Sequence, residues 1–283
     1  DGRRTHLFAL PLAGGEPVDL MPAMDADCPG KPFGGMEEVA VSPDGRTVVF
    51  TARDVGHAEA WSTNHDLFAV PIDGSAAPRR LTAANRAWDT QPLFSPDGRT
   101  LAYLAMSIPD FEADRYRIVL QPWPEGPKRV LAEAWDRSPS SLAFSPDGRT
   151  LYAVADDLGQ GSLFAVDVAT GRVRTVVGPG TVRAAEVGPE RIVFAHETLT
   201  SPTELYSVLP DGSDRRTLTA INAEKVAAAR LGEPEQFSFT GAGGDRVHAY
   251  VVKPVDFDPA KKYPVAFLIH GGPQGSFGND FHY

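Results

Sequence analysis

Cysteine is almost missing from this sequence, since Cys28 is the only one in 283 residues. A disulfide within the chain is therefore excluded, and so is a zinc site built from several cysteines. No apolar run approaches the ~20 residues that a membrane-spanning helix needs, which predicts a soluble chain. The sequence begins at Asp1 with neither an initiator methionine nor a signal peptide, and we interpret this start as trimmed.

Clustered positive charge is also lacking. The formal net charge is -10, and basic residues occur in short pairs such as Arg79-Arg80. Nucleic-acid binding needs a basic stripe to meet the phosphates, so this class of partner is excluded. The acidic balance fits a solvated acidic surface, and it also fits a ligand with positive charge such as a free amine.

Metal-binding and phosphate-binding patterns are absent as well. The seven histidines show no His-Glu-x-x-His and no close ligand spacing. Asp25-x-Asp27 begins like a calcium loop, but Pro29 and Met36 stand at the fifth and twelfth positions, where ligands are needed. No Gly-x-x-x-x-Gly-Lys is present. We therefore predict neither a metal nor a cofactor.

A repeat of about fifty residues is the strongest positive feature. Ser-Pro-Asp-Gly-Arg-Thr occurs three times, at Ser42–Thr47, Ser95–Thr100 and Ser145–Thr150. An apolar Leu-Phe-Ala-Val element and a polar Arg-Thr-Leu element follow in related positions. Ser-Pro-Asp-Gly suits a type I turn between two strands, because proline presets the second position.

Four strands per repeat are expected from this pattern. The strands after the turns, such as Leu101–Leu104, are apolar on both faces and should be buried on both sides. Four strands every 45 to 50 residues are typical of a β-propeller blade. Four complete blades fit between about Met36 and Thr219, with a half unit at Leu7–Met21 and a degenerate turn at Glu186–Glu190. Earlier blades are expected to be missing, because four and a half do not close a larger ring.

Trp88-Asp89 and Trp135-Asp136 bring to mind the Trp-Asp repeat propellers. In those repeats the dipeptide ends an inner strand, whereas here it precedes the first strand of a blade, and no Gly-His partner accompanies it. We therefore reject that subtype and keep the propeller prediction.

The repeat ends after Thr219, and a different organisation begins. Ile221–Leu231 reads as a connector with a short helical stretch, and residues 235–252 read as a β-hairpin around a Gly-rich turn. The apolar run Tyr263–Ile269 predicts a buried central strand. It leads into His270-Gly271-Gly272-Pro273, the pattern of an α/β-hydrolase oxyanion loop. We therefore predict two domains: residues 1–231 as an incomplete β-propeller, and 232–283 as the first strands and oxyanion loop of an α/β-hydrolase.

A propeller followed by a hairpin, an apolar strand and His-Gly-Gly-Pro resembles the prolyl oligopeptidase family of serine peptidases. Pro32–Glu38 before the first Ser-Pro-Asp-Gly, together with Ala60–Asn64, is similar to its acylaminoacyl-peptidase and dipeptidyl-peptidase 5 branch. The resemblance implies that the Gly272 amide helps form the oxyanion hole and that His270 supports the loop. The catalytic serine, aspartate and histidine of the family come later in the chain.

Three propeller residues are candidates for substrate binding. In dipeptidyl peptidases of this family, glutamates from the propeller hold the free N-terminal amine, which makes Glu37 and Glu38 candidates here. Their alternative interpretation is that they only open a strand. Trp61 either walls a substrate pocket or covers a gap between blades.

The sequence contains no Gly-x-Ser-x-Gly; Gln274–Gly278 comes nearest, with Gln274 where glycine is needed. This chain alone is therefore expected to be inactive, as a fragment of a serine exopeptidase that releases dipeptides from short peptides. The alternatives are an acylaminoacyl peptidase or oligopeptidase, and a non-catalytic propeller binding module. A lipase-like esterase is disfavoured by the propeller and Pro273. The resemblance further implies peptide substrates, a periplasmic or secreted location with a cytoplasmic one as the alternative, and a homodimer through the hydrolase domain.

Overall fold

A computed structural model describes residues 3–32, 34–272 and 275–282. Nearly all of the regular structure there is β-strand, with one short α-helix, α1 (Ala223–Ala228). The strands, in chain order, are β1 (Phe8–Ala9), β2 (Val18–Asp19), β3 (Val39–Val41), β4 (Thr47–Ala52), β5 (Asp66–Pro71), β6 (Arg79–Arg80), β7 (Asp89–Phe94), β8 (Thr100–Ala105), β9 (Arg117–Pro122), β10 (Arg129–Leu131), β11 (Pro139–Phe144), β12 (Thr150–Asp157), β13 (Gln160–Asp167), β14 (Val173–Val177), β15 (Thr181–Val187), β16 (Ile192–Thr198), β17 (Ser201–Val208), β18 (Arg216–Thr217), β19 (Pro234–Thr240) and β20 (Arg246–Val252).

The first two complete repeats each form a four-stranded sheet. Strands β3 to β6 make one sheet and β7 to β10 the next, with neighbours in sequence lying side by side. All of these neighbouring pairs are antiparallel. A short antiparallel meander of four strands is the blade of a β-propeller, so the propeller part of the predicted fold class is confirmed. The predicted half unit is the pair β1 and β2.

The Ser-Pro-Asp-Gly sequence forms the predicted turn between the first two strands of a blade. Gly45 N–H donates to the Ser42 carbonyl at 2.8 Å. The Ser42 hydroxyl donates to Asp44 at 2.6 Å and accepts the Thr47 N–H at 2.9 Å. The same bonds recur in the turns that begin at Ser95 and Ser145. Gly45 has φ +71°, a left-handed conformation that favours glycine.

The turns that begin at Ser42, Ser95 and Ser145 pack on one another in succession. A Cβ built on Gly98 would meet Pro43 Cδ at 3.5 Å, and one on Gly148 would meet Pro96 Cδ at 3.7 Å. The repeated hexamer therefore supplies both a turn and the contact surface for the turn of the next blade.

The second and third strands of each blade supply the core. β4, β5, β8 and β9 are buried along nearly their whole length, which the two-sided apolar pattern predicts for the second strands β4 and β8. One cluster, for example, joins Val49 and Leu67 of one blade to Leu101 and Tyr103 of the next. Each such buried side chain contributes about 1.5–3 kcal/mol to the stability of the fold. The outer strands β6 and β18 are exposed, as predicted.

The chain divides into two compact units. Unit 1 comprises Asp1–Leu151 and Val166–Val173, and unit 2 comprises Tyr152–Ala165 and Arg174–Tyr283. In unit 2, β15 to β18 form an antiparallel meander, and the tight connection after Val187 replaces the missing Ser-Pro-Asp-Gly turn. The predicted domain boundary at residue 231 falls just after α1 and remains a prediction.

Two elements were predicted for the segment after the meander, and the structure contains only the first of them. β19 and β20 form the predicted hairpin, in register from Pro234–Val252 to Thr240–Arg246. The prediction of a buried strand at Tyr263–Ile269 is wrong: the run forms no strand, and Phe267 and Leu268 are 79% and 76% exposed. A central strand needs a hydrogen-bonded neighbour on each side, and the described part of the chain offers this run none.

Candidate functional site

Four side chains of unit 1 come directly before four strands. Glu38 precedes β3, His65 precedes β5, Trp88 precedes β7, and Tyr116 precedes β9. The first and third strands of an antiparallel meander run in the same direction, so the residues before them lie at the same end of the blade. The two blades are joined at this end, because the Asp89 N–H donates to the His65 carbonyl at 2.9 Å. We call these four residues the strand-entry cluster.

Glu38 is the acidic member of the strand-entry cluster. It ends a short 3₁₀ turn, Met36–Glu38, and is only 4% exposed. One carboxylate oxygen, Oε2, accepts the Gly30 N–H at 2.6 Å. A Cβ on Gly34 would lie 2.6 Å from the same oxygen, so glycine is required for the loop to pass over the carboxylate. Gly30 and Gly34 therefore bring main chain rather than side chains next to this carboxylate.

Burial changes the proton affinity of Glu38. Desolvation raises the pKa of its carboxyl, the Gly30 hydrogen bond opposes that rise, and the charge of Glu37 adds to it. A carboxylate taken out of water gains more from a cationic partner than an exposed one does. Burial also raises the pKa of the Cys28 thiol to about 12, with a further contribution from Glu38, so Cys28 is an inert core residue.

The other three members of the cluster are aromatic. The His65 ring stacks on Trp88 at 4.0 Å between centroids, and Tyr116 meets Trp88 edge to face at 6.5 Å. Burial lowers the pKa of His65 to about 4, so its imidazole is neutral at pH 7. A Cβ on Gly30 would lie within 3.6 Å of both the Glu38 carboxylate and His65 Nε2. Aromatic faces beside a buried carboxylate suit an ammonium group, because the faces carry partial negative charge.

A second buried carboxyl lies beside the cluster. Asp89 is 1% exposed, and its Oδ1 accepts the Asn85 amide at 3.0 Å. Asp89 Oδ2 and Trp88 Nε1 are buried and without a hydrogen-bond partner among the described residues. Burial raises the pKa of Asp89 to about 7, despite the Asn85 hydrogen bond that lowers it. This carboxyl is therefore partly protonated at neutral pH.

The loops at this end of unit 1 also carry exposed apolar side chains. Trp61 is 72% exposed and Phe111 is 47% exposed. Their loops are joined, because the Asp110 N–H donates to Thr63 Oγ1 at 2.8 Å. The interpretation in which Trp61 covers a gap between blades is wrong, since its ring meets solvent. Both rings are therefore available to a ligand at this end of unit 1.

The structure separates the two predicted glutamates. Glu37 is exposed to solvent, whereas Glu38 lies in the strand-entry cluster. Sequence reasoning missed His65, Trp88 and Tyr116 as neighbours of Glu38. Only Trp88 offered a signal, because it directly precedes a predicted first strand, whereas no strand is predicted directly after Tyr116.

The predicted oxyanion loop belongs to unit 2. Gly272 has φ +148°, which glycine adopts readily and other residues rarely do. His270 Nδ1 lies 2.9 Å from the carbonyl of Gly271, and both glycines are exposed. The Gly272 amide has no hydrogen-bond partner among the described residues. Pro273 and Gln274 of the predicted motifs lie outside the described residues. Ser276 lies on the same exposed segment.

Comparison with known proteins decides the family. No family model matches the chain. Dipeptidyl-peptidase 5 of Arthroderma otae is 34% identical over 277 residues, which cover 93% of this chain and 38% of that protein. The chain belongs to the prolyl oligopeptidase family.

Solved structures support the prolyl oligopeptidase fold. An acylaminoacyl peptidase solved with Z-Gly-Gly-Phe-chloromethyl ketone has a TM-score of 0.67 at 21% identity, covering 84% of this chain and 36% of that one. Dipeptidyl peptidase 4 of Porphyromonas gingivalis also has a TM-score of 0.67, at 16% identity, covering 95% of this chain and 37% of that one. The chain thus spans about two fifths of the length of the relatives it matches.

The described residues contain neither a metal-ligand cluster nor a membrane-spanning helix. Within residues 3–32, 34–272 and 275–282, no group of three or more histidine, cysteine, aspartate or glutamate residues could hold a metal ion. No helix in the same ranges is long and apolar enough to cross a membrane.

Proposed function

We propose that the full-length protein containing this chain is a serine peptidase that removes dipeptides from the free N-terminus of short peptides. The observation that carries the proposal is the desolvated Glu38 carboxylate, set among glycines and aromatic rings. The likeness to dipeptidyl-peptidase 5 supports the length of the product. Glu38 binds the N-terminal ammonium, and the buried carboxylate makes this ion pair strong because little water competes for it.

The chemistry follows the serine-peptidase scheme. A serine outside this chain attacks the scissile carbonyl, and a histidine takes its proton and passes it to the departing amine. The Gly272 N–H donates to the oxyanion that forms during this attack, and His270 supports the loop that carries it. Removing one such donor costs a serine peptidase about 100-fold to 1000-fold in kcat.

Trp61 and Phe111 extend the site. We assign them to the peptide's apolar side chains, because exposed aromatic rings bury large area on contact at little cost in side-chain entropy. Glu37, which is exposed, contributes only to the surrounding negative charge.

The test compares free and blocked N-termini. The full-length protein is assayed with Ala-Ala-p-nitroanilide and with acetyl-Ala-p-nitroanilide. The proposal requires a higher kcat/KM for the free dipeptide substrate. Activity on the blocked substrate alone would reject it in favour of an acylaminoacyl peptidase, and no activity on either would favour a non-catalytic binding module.

The same proposal extends to location and assembly. We assign the whole protein to the periplasm or the secreted fraction, and its assembly to a homodimer through the hydrolase domain. Cell fractionation tests the location, and light scattering of the purified full-length protein tests the dimer. Recovery in the cytoplasm or a monomeric mass would contradict the corresponding assignment.

A further inference from the structure

Asn279 fixes the segment after the oxyanion loop through hydrogen bonds from all of its polar groups. All four polar groups of Asn279 are hydrogen-bonded within unit 2. The N–H donates to the Gly159 carbonyl at 2.7 Å, and Nδ2 donates to Gln160 Oε1 at 2.9 Å. Oδ1 accepts the Leu199 N–H at 3.0 Å, and the carbonyl accepts the Thr181 hydroxyl at 3.0 Å. These partners belong to three separate stretches of chain, so together they hold Asn279 in a single position.

An ion-pair network continues from Asn279. Arg183 donates to Asp280 at 2.7 Å and to Glu197 at 2.6 Å. Glu197 also accepts the Phe281 N–H at 3.4 Å and bonds the Thr203 hydroxyl. Burial by itself would raise the pKa of Glu197, but the bonds from Thr203 and Arg183 hold it below its ordinary value. Glu197 is therefore ionised at neutral pH.

Strand irregularities accompany both charged residues of the blade. The register of β15 and β16 shifts between Val182 and Ala184, which leaves Arg183 as the extra residue. The register of β16 and β17 shifts between His196 and Thr198, on either side of Glu197. Bulges redirect side chains and are frequent next to functional sites. Here they accompany the arginine and the glutamate that hold the segment 279–281.

The turn that receives Asn279 is itself fixed. Tyr250 of the hairpin donates to the Gly159 carbonyl at 3.0 Å and bonds Gln160 Nε2 at 2.5 Å. Gln236 bonds the Leu158 carbonyl. The hairpin and the segment 279–281 therefore share one support on the β12–β13 turn.

The His270–Gly272 loop lies a few residues before Asn279 in the chain, so the position of this fixed segment limits where the loop can lie. We propose that Asn279 and Asp280, with Arg183 and Glu197, form a clamp that positions the His270–Gly272 loop. The clamp residues are positioning residues, and their catalytic consequence rests on the proposed peptidase function.

The first arm of the test measures amide hydrogen exchange of peptides spanning 268–282 in the full-length protein. Asn279→Ala and Asp280→Asn each remove hydrogen bonds and should raise exchange there by about tenfold. Asp256→Asn is the matched control, because Asp256 forms an exposed ion pair with Arg230. Arg183→Gln should raise exchange as Asp280→Asn does, and Arg183→Lys, which keeps the positive charge, should raise it less. Unchanged exchange in Asn279→Ala would overturn the clamp.

The second arm measures kinetics on Ala-Ala-p-nitroanilide. A displaced oxyanion donor should lower kcat by about tenfold to 100-fold and leave KM within about twofold, and Arg183→Lys should lose less than Arg183→Gln. A raised KM at unchanged kcat would overturn the positioning role, and so would faster exchange with unchanged kcat. A wild-type protein without hydrolytic activity would refute the proposed function, while the exchange arm would still decide the clamp.

Discussion

The imidazole of His65 stacks on the indole of Trp88, with 4.0 Å between centroids and 12° between the ring planes. His65 directly precedes β5 of one blade, and Trp88 directly precedes β7 of the next. This stack therefore contributes to the contact between neighbouring blades at the proposed substrate end.

Replacing His65 should destabilise unit 1. His65→Ala removes the stack and leaves a cavity at a residue that is 4% exposed, so we expect a loss of about 2 kcal/mol in the free energy of unfolding. Urea unfolding measures this loss. His57→Ala serves as the control, because His57 is exposed. Equal stabilities of the two variants would contradict the packing role of His65.

Asp89 should make stability fall as pH rises. The folded-state pKa of about 7 lies above the ordinary value of 3.8, so the folded chain binds more protons than the unfolded chain between these values. Stability is therefore lost progressively from pH 4 to pH 7. Asp89→Asn should remove this loss and be more stable than wild type at pH 8, by roughly 2 kcal/mol.

Denaturant midpoints at pH 5 and pH 8 check the Asp89 prediction. Asp136→Asn is the control, because its side chain is 96% exposed. Burial also lowers the pKa of His65, which reduces stability at acid pH and opposes the Asp89 trend. The comparison of each variant with wild type at the same pH removes that contribution. A constant difference between Asp89→Asn and wild type would refute the assignment.

Gly34 should be needed to keep the Glu38 carboxylate in its position. A Cβ there would lie 2.6 Å from Glu38 Oε2 and 2.5 Å from the Gly30 backbone, so Gly34→Ala must displace the loop or the carboxylate. We expect a loss of about 1–3 kcal/mol in stability and a raised KM for free N-termini. Gly45→Ala is a useful comparison: it has a positive φ but open space around it, so it should affect stability and leave KM unchanged.

Trp61 should contribute to substrate binding and contribute little to the free energy of unfolding. Its ring is 72% exposed, so Trp61→Ala should change the free energy of unfolding by about 0.5 kcal/mol or less. The loss of its apolar contact should raise KM for dipeptide substrates severalfold. Steady-state kinetics and urea unfolding are measured on the same preparation. Leu12→Ala, at a fully exposed position, is the control, and equal KM values for the two variants would remove Trp61 from the site.

The repeat made most of the fold predictable. Ser42, Ser95 and Ser145 each fix a turn by local hydrogen bonds, so local sequence sufficed to place β4, β8 and β12. The apolar run at Val265–Ile269 misled, because its conformation depends on neighbouring strands rather than on its own composition. Local propensity cannot supply such partners.

The candidate site was predictable only in part. Glu38 was chosen from a resemblance, and its burial beneath Gly30 and Gly34 could not be read from the doublet Glu37-Glu38. His65, Trp88 and Tyr116 are far apart in sequence, and it is the strand order that brings them together. Asn279 was not singled out either, because its partners on the β12–β13 turn and β15 are separated from it by about a hundred residues of sequence, which periodicity does not relate.

The ratio of kcat/KM for Ala-Ala-p-nitroanilide to that for acetyl-Ala-p-nitroanilide tests amine recognition most directly. It is measured for the full-length wild type, for Glu38→Gln and for the exposed neighbour variant Glu37→Gln. Loss of a buried charge partner should lower the ratio about 100-fold in Glu38→Gln and leave it within about threefold in Glu37→Gln. An unchanged ratio in Glu38→Gln would contradict the account.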